Sequence, residues 1–139
     1  MTASAPIFEL RNLAFSWPDA MGNAGRGKPV FRDLNFSLTD SEKIGLYGPN
    51  GCGKTTLLKL ITGLLTPQAG DVCFEGTPVK TEAEFRSLRC AVGYVLQNAE
   101  DQLFFPEVIE DVSFGPLNLG RSQAEALKDA EETLETLGL

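Results

Sequence analysis

Gly48-Pro49-Asn50-Gly51-Cys52-Gly53-Lys54-Thr55 follows the pattern G-x-x-x-x-G-K-[ST], and its flanks give that pattern mechanical meaning. Ahead of it lies Lys43-Ile44-Gly45-Leu46-Tyr47, an apolar run that reads as a buried strand. Behind it Thr56-Leu57-Leu58-Lys59-Leu60-Ile61-Thr62 reads as a helix that stops at Gly63. Strand, glycine-rich turn and helix together form a phosphate-binding unit. Its backbone N–H groups and the helix N-terminus wrap around polyphosphate oxygens. The glycines permit the positive φ and close backbone approach that a Cβ would block. The alternative, a Gly-rich turn with an incidental lysine, does not account for the flanks.

The totals narrow the class. One domain is the default for 139 residues. A net charge of −7 argues against nucleic acid as a partner, and against docking on anionic lipid through a basic patch. No apolar run reaches the ~20 residues that span a bilayer, and Met1-Thr2-Ala3-Ser4-Ala5-Pro6 lacks the features of a signal peptide, so a soluble, cytosolic chain is expected. Cys52, Cys73 and Cys90 are odd in number and show no C-x-x-C spacing, which suggests neither a disulfide framework nor a zinc site. With no histidine, proton handling falls to carboxylates, water or the substrate.

Along the chain, residues 7–17 alternate through Phe8 and Leu10, slip by one at Asn12, and resume with Leu13, Phe15 and Trp17: a strand with a bulge, or two short strands. Residues 18–29 contain Gly22, Gly25 and Gly27 without an apolar period and read as a flexible loop. Phe31, Leu34, Phe36 and Leu38 mark a second strand, closed by a turn at Thr39-Asp40-Ser41. Val72-Cys73-Phe74-Glu75 is another short strand and residues 81–88 a short helix. Ala91-Val92-Gly93-Tyr94-Val95-Leu96 has the apolar continuity of a strand covered on both faces. In the tail, Ser122-Gln123-Ala124-Glu125 fits a capping box, Leu127, Ala130, Leu134 and Leu137 form an apolar stripe, and Gly138 suits a C-terminal cap.

Each candidate position has a chemical role open to it. Lys54 is a flexible cation suited to β- and γ-phosphate oxygens. Thr55 offers a hydroxyl to Mg²⁺, which favours octahedral oxygen ligands. Thr56 either bonds an α-phosphate oxygen or helps start the helix. Cys52 is a small residue tolerated in a crowded loop, or a thiol open to selective alkylation. Gln97 ends a strand, where ligands of open α/β sheets gather, and its amide can reach Mg²⁺ or orient a water. Trp17, the sole tryptophan, is ordinary sheet-edge core or a platform for adenine.

The run 48–56, the helix that follows, Gly70-Asp71 and the stretch ending at Gln97 resemble the first half of an ATP-binding cassette ATPase. Gln97-Asn98-Ala99-Glu100-Asp101-Gln102-Leu103-Phe104 and Glu110-Asp111-Val112-Ser113-Phe114-Gly115-Pro116-Leu117-Asn118-Leu119-Gly120 narrow the likeness to the ATPase subunits of energy-coupling factor importers, especially the cobalt and nickel branch. The resemblance implies that Trp17 stacks on adenine, where the family more often has tyrosine. It implies that Asn50, Gly51, Cys52, Gly53, Lys54, Thr55 and Thr56 cradle ATP and Mg²⁺. Lys54 and Gln97 become the catalytic residues, with Thr55 and Gln97 on the metal. Residues 98–114 become the seat of a transmembrane subunit's coupling helix, Phe104-Phe105-Pro106 supplying an apolar patch, although core burial of one phenylalanine is the simpler reading. Ala99 and Glu100 stand where the family usually has Pro-Asp.

The implied protein is a cytoplasmic ATPase subunit, peripheral on the inner face of the cell membrane. It pairs with a second ATPase subunit and powers uptake of metal ions or vitamins. The family's serine-glycine signature, its acidic strand with the catalytic glutamate, and its switch histidine do not occur in these 139 residues, so slow hydrolysis by this chain alone is expected. The fold expected is α/β, the N-terminal part of one nucleotide-binding domain: a small antiparallel part at 7–40, a parallel core with the phosphate loop at 41–97, and the start of a helical subdomain at 98–139. The competing readings are a nucleotide-binding module without turnover, whether truncated or a split-gene product, and a small-molecule kinase. The latter lacks an Arg-rich lid, since Arg86, Arg89 and Arg121 are scattered.

Overall fold

The computed structural model describes residues 5–23 and 27–139, the side chain of Ala99 excepted. Gly25 and the first residues of the chain, both used in the sequence reading, lie outside the described residues. The chain forms two compact units, Met1–Gly93 and Tyr94–Leu139.

The first unit is built on one antiparallel sheet of order β2-β1-β3-β4, with β1 at Pro6–Ser16, β2 at Pro29–Thr39, β3 at Ala69–Phe74 and β4 at Thr77–Val79. The slip predicted at Asn12 is a bulge: Asn12 has φ 49°, and the register with β2 shifts between Leu10↔Phe36 and Leu13↔Leu34. The extra residue reverses the alternation, so Phe8, Leu10, Leu13 and Phe15 all reach the core. Helix α1, Lys54–Ile61, and helix α2, Glu82–Ala91, complete that core through Leu57, Leu60, Phe85 and Leu88. Arg89 of α2 donates to Gly63 O beyond α1 (3.3 Å), tying the two helix ends together. The turn after β2 is closed by Glu42, whose carboxylate accepts from Thr39 N (2.6 Å). The loop after β1 is ordered at its start, where Asp19 accepts from Met21 N (2.9 Å) and Asn23 N (2.8 Å).

The two apolar runs expected to be core strands differ from expectation. Residues 43–47 and 92–96 belong to no ladder among the described residues, and α2 extends to Ala91, into the second run. A parallel strand satisfies its N–H and C=O groups on flanking strands, and none stands beside either run. Ile44, Leu46 and Val95 are therefore exposed, and Ile44, Leu46, Leu58, Ile61 and Val92 line an open apolar groove of about 470 Å³ within the first unit.

The second unit is a helical hairpin of α3, Val108–Asn118, and α4, Gln123–Leu137, preceded by a 3-10 turn at Ala99–Gln102. The tail's signals hold: Ser122 and Glu125 form the capping box, and Gly138 ends α4 at φ 76°. The burial within it differs from the expected stripe. Ala126 and Ala130 are buried, while Leu127 and Leu137 stay exposed. Leu127 lines a shallow groove with Ser113, Phe114 and Leu117 of α3 and keeps part of its side chain in solvent.

Two capping boxes, Thr81/Glu84 on α2 and Ser122/Glu125 on α4, make helix stability depend on acid. Hydrogen bonds from Thr81 and Lys80 hold Glu84, and those from Ser122 hold Glu125, below the ordinary 4.5. A depressed folded-state value contributes stability that is present above the unfolded value and lost as pH falls through the folded one. Thermal midpoints followed by circular dichroism should thus be flat near neutrality and decline once pH drops below about 4.5. Glu125→Gln should flatten part of that decline; an unaltered acid limb would show that the box carries none of it.

Candidate functional site

The loop 48–53 leads into α1 with two glycines in left-handed backbone, Gly51 at φ 79° and Gly53 at φ 105°. Gly53 is the N-cap of α1 and brings no side-chain cap, and the first turn holds no acidic residue. The first N–H groups of the helix are left without a side-chain acceptor and carry the positive end of the macrodipole. Lys54, the first residue of α1, folds back over the loop: its Nζ donates to Gly48 O (2.7 Å) and Pro49 O (2.9 Å) and lies 3.8 Å from Cys52 Sγ. Cys52 N donates to Pro49 O (3.3 Å), closing a tight turn beneath the ammonium. Fixed cation, open helix start and glycine-rich loop suit an oxyanion cluster with several negative oxygens.

Thr55 is exposed, and among the described residues nothing bonds its hydroxyl, so a hard cation bridging to an anion has an oxygen within the same turn. Thr56 is 8% exposed and packs toward the core. Trp17 follows β1 in the same unit. The residue is 43% exposed, and its ring meets that of Phe15 edge to face at 5.3 Å.

Gln97 belongs to the second unit, where it is exposed in a bend before the 3-10 turn. In that unit Asn98 Nδ2 donates to Asp101 Oδ2 (3.2 Å), and Asp111 of α3 accepts from both Phe104 N (2.9 Å) and Phe105 N (3.2 Å). Burial of one phenylalanine was the simpler expectation; the structure exposes both, Phe104 at 71% and Phe105 at 40%, propped on Phe114 at centroid distances of 6.1 and 5.5 Å. The backbone that Asp111 holds keeps this aromatic group outward.

Three residues went unnoticed as parts of the site. Val30 and Phe31 of β2 pack directly against Gly53, and nothing in their sequence neighbourhood, ahead of the glycine-rich loop, hinted at it. Asp111 as the anchor of 104–105 left no signal beyond an acidic residue in the first turn of a helix.

Comparisons with known proteins follow the same line. The chain is 41% identical over 134 residues to the energy-coupling factor transporter ATP-binding protein EcfA of Methanothermobacter thermautotrophicus, covering 96% of this chain and 41% of that one. It is 42% identical over 135 residues to the cobalt import ATP-binding protein CbiO of Rhodobacter capsulatus, covering 96% and 46%. The chain thus spans about half the length of these curated relatives. Among solved structures, cbiO1 of Clostridium perfringens, part of the ABC transporter complex cbiONQ, superposes with a TM-score of 0.78 at 27% identity, over 96% of this chain and 51% of that one. That likeness establishes the expected α/β class, a partial P-loop ATPase domain with an antiparallel β part and helices. Residues 31–139 match the ABC transporter family, and the chain belongs to it.

Proposed function

We propose that this chain is the phosphate-loop half of an ATP-binding subunit that powers an importer of the energy-coupling factor type, with cobalt or nickel ions or vitamins as cargo. The observation that carries the reading is Lys54, whose ammonium lies over the loop carbonyls at an uncapped helix start. ATP would lie along loop 50–56, its β- and γ-phosphates exchanging for the carbonyls that now hold Lys54. Mg²⁺ bound with it would neutralise charge between the β- and γ-oxygens. Thr55 is the residue of the first unit that would hold that ion, and the family resemblance assigns the amide of Gln97 to the metal and to the attacking water. Thr56, at the start of α1, would support the α-phosphate.

The names of the relatives support the remaining assignments: one is a cobalt import protein and another is part of a transporter complex. On this reading residues 98–114, with Phe104 and Phe105 outward, seat a transmembrane subunit on the cytoplasmic face of the membrane. A second ATPase subunit faces the loop. No helix among the described residues is long and apolar enough to cross a membrane. The division into 7–40, 41–97 and 98–139 carries these three roles. By itself the chain binds ATP and turns it over slowly, because the signature, the catalytic glutamate and the switch histidine are not among its residues. Brisk MgATPase activity of the purified chain would overturn that last point.

The test of the nucleotide reading uses the only tryptophan. MgATP should change Trp17 fluorescence saturably. Trp17→Ala should weaken MgATP binding by calorimetry about tenfold, because base–aromatic stacking contributes roughly 1–3 kcal/mol. Equal affinity in the alanine variant would move the base elsewhere.

A further inference from the structure

Gly53 is held from behind as well as by its backbone. A Cβ there would stand 2.6 Å from Val30 Cγ1 and 3.0 Å from Phe31 Cζ, so the last glycine of the phosphate loop rests on the first residues of β2 more closely than any side chain would permit. Phe31 pairs across the ladder with Phe15. Directly opposed residues of an antiparallel pair share a face. Phe15 is in turn the edge-to-face partner of Trp17. Phe15 is buried in the core of the first unit, and Phe31 packs against that core. The approach to Gly53, the ladder pairing and the edge-to-face contact thus place Gly53, Phe31, Phe15 and Trp17 in succession within one compact unit.

We propose that Phe31, backed by Val30, is a positioning residue for the nucleotide: it sets the height of Gly53 and the start of α1, and it links the phosphate loop mechanically to Trp17. The inference rests on the ATP-binding reading above. Phe31 has no role on a phosphate oxygen. It acts by blocking the retreat of Gly53, whose N–H and following turn face the anion. Close-packed interiors yield little, so a displacement of the loop on binding is passed to the next ring instead of being absorbed. Removing the Phe31 ring leaves a gap that absorbs it.

The experiment uses two ligands on the full chain. Inorganic tripolyphosphate with Mg²⁺ carries no base, so any change it causes in Trp17 fluorescence must reach the indole through the protein. The wild type should bind it and respond. Phe31→Ala should keep its circular dichroism spectrum, bind MgATP and tripolyphosphate about tenfold more weakly, and lose the Trp17 response even at saturating tripolyphosphate. Phe31→Leu should restore both. A merely structural role would lower the thermal midpoint and leave the saturated response in place. Should Phe31→Ala fail to fold, Val30→Ala decides: a response cut by half or more supports the link, and a response equal to wild type overturns it. Wild-type affinity and response in Phe31→Ala also overturn it, as does tripolyphosphate binding without any Trp17 change. A wild-type chain that is folded yet binds neither ligand by calorimetry overturns the ATP-binding reading, and the positioning role with it.

Discussion

Lys54→Ala should weaken MgATP binding by about 100-fold, measured by calorimetry, with the circular dichroism spectrum unchanged. A hydrogen bond to a charged group contributes about 1.5–3 kcal/mol, and tenfold in affinity corresponds to about 1.4 kcal/mol, so loss of one strong or two ordinary contacts to phosphate reaches that size. The fold should be spared because Lys54 bonds only to its own loop, at Gly48 O and Pro49 O. The loop's remaining donors, backbone N–H groups at the start of α1, would hold the anion without the cation that neutralises it. Lys54→Arg should not rescue: the guanidinium is a planar fork, too broad for a place shaped around a compact ammonium. Affinity within threefold of wild type in Lys54→Ala would move the phosphate site off this loop.

Leu60→Ala is expected to have the largest effect on stability, about 3 kcal/mol. Leu60 is 0% exposed and holds α1 in the core with Leu57, against Phe8, Leu10 and Val72 of the sheet and Phe85 and Leu88 of α2. Truncation removes the buried methyl groups and leaves a cavity that a sheet and two helices cannot close. For a unit of this size, 1 kcal/mol corresponds to roughly 4–8 °C, so a fall in midpoint of about 12–24 °C should follow in a thermal scan. Nucleotide affinity should drop as well, because the helix whose N-terminus meets the phosphates is anchored through this residue. A midpoint within 3 °C of wild type would show that the contact between α1 and the sheet is held elsewhere.

The elements that were legible carry their cause within a few residues. The bulge at Asn12 announces itself by the change of phase between Leu10 and Leu13. The capping box at Ser122 and Glu125, and the stop at Gly138, follow from side-chain-to-backbone bonds three residues apart and from one glycine at positive φ. The phosphate loop is legible for the same reason. What escaped notice lacks so clear a local pattern. Strand β4 is three residues long and forms only because β3 offers it an edge. The capping box of α2 was present in Thr81 and Glu84, yet the helix runs on to Ala91 where a strand was expected. Helix α3 holds Pro116 in its last turn, which masks its period.

The sequence by itself determined the glycine-rich loop and helix start proposed to hold polyphosphate, because Gly51, Gly53, Lys54 and the first turn of α1 lie within a few residues and their backbone geometry is local. It determined the capped ends of α4 for the same reason. Only the tertiary structure decided which apolar residues are core: Ala126 and Ala130 are buried while Leu127 and Leu137 remain exposed. It also decided that residues 43–47 and 92–96, strand-like in composition, join no ladder among the described residues. Hydrogen bonds in a sheet are made to another segment, and the chain spans about half the length of the relatives it matches. And it brought Phe31 against Gly53, 22 positions apart in the numbering.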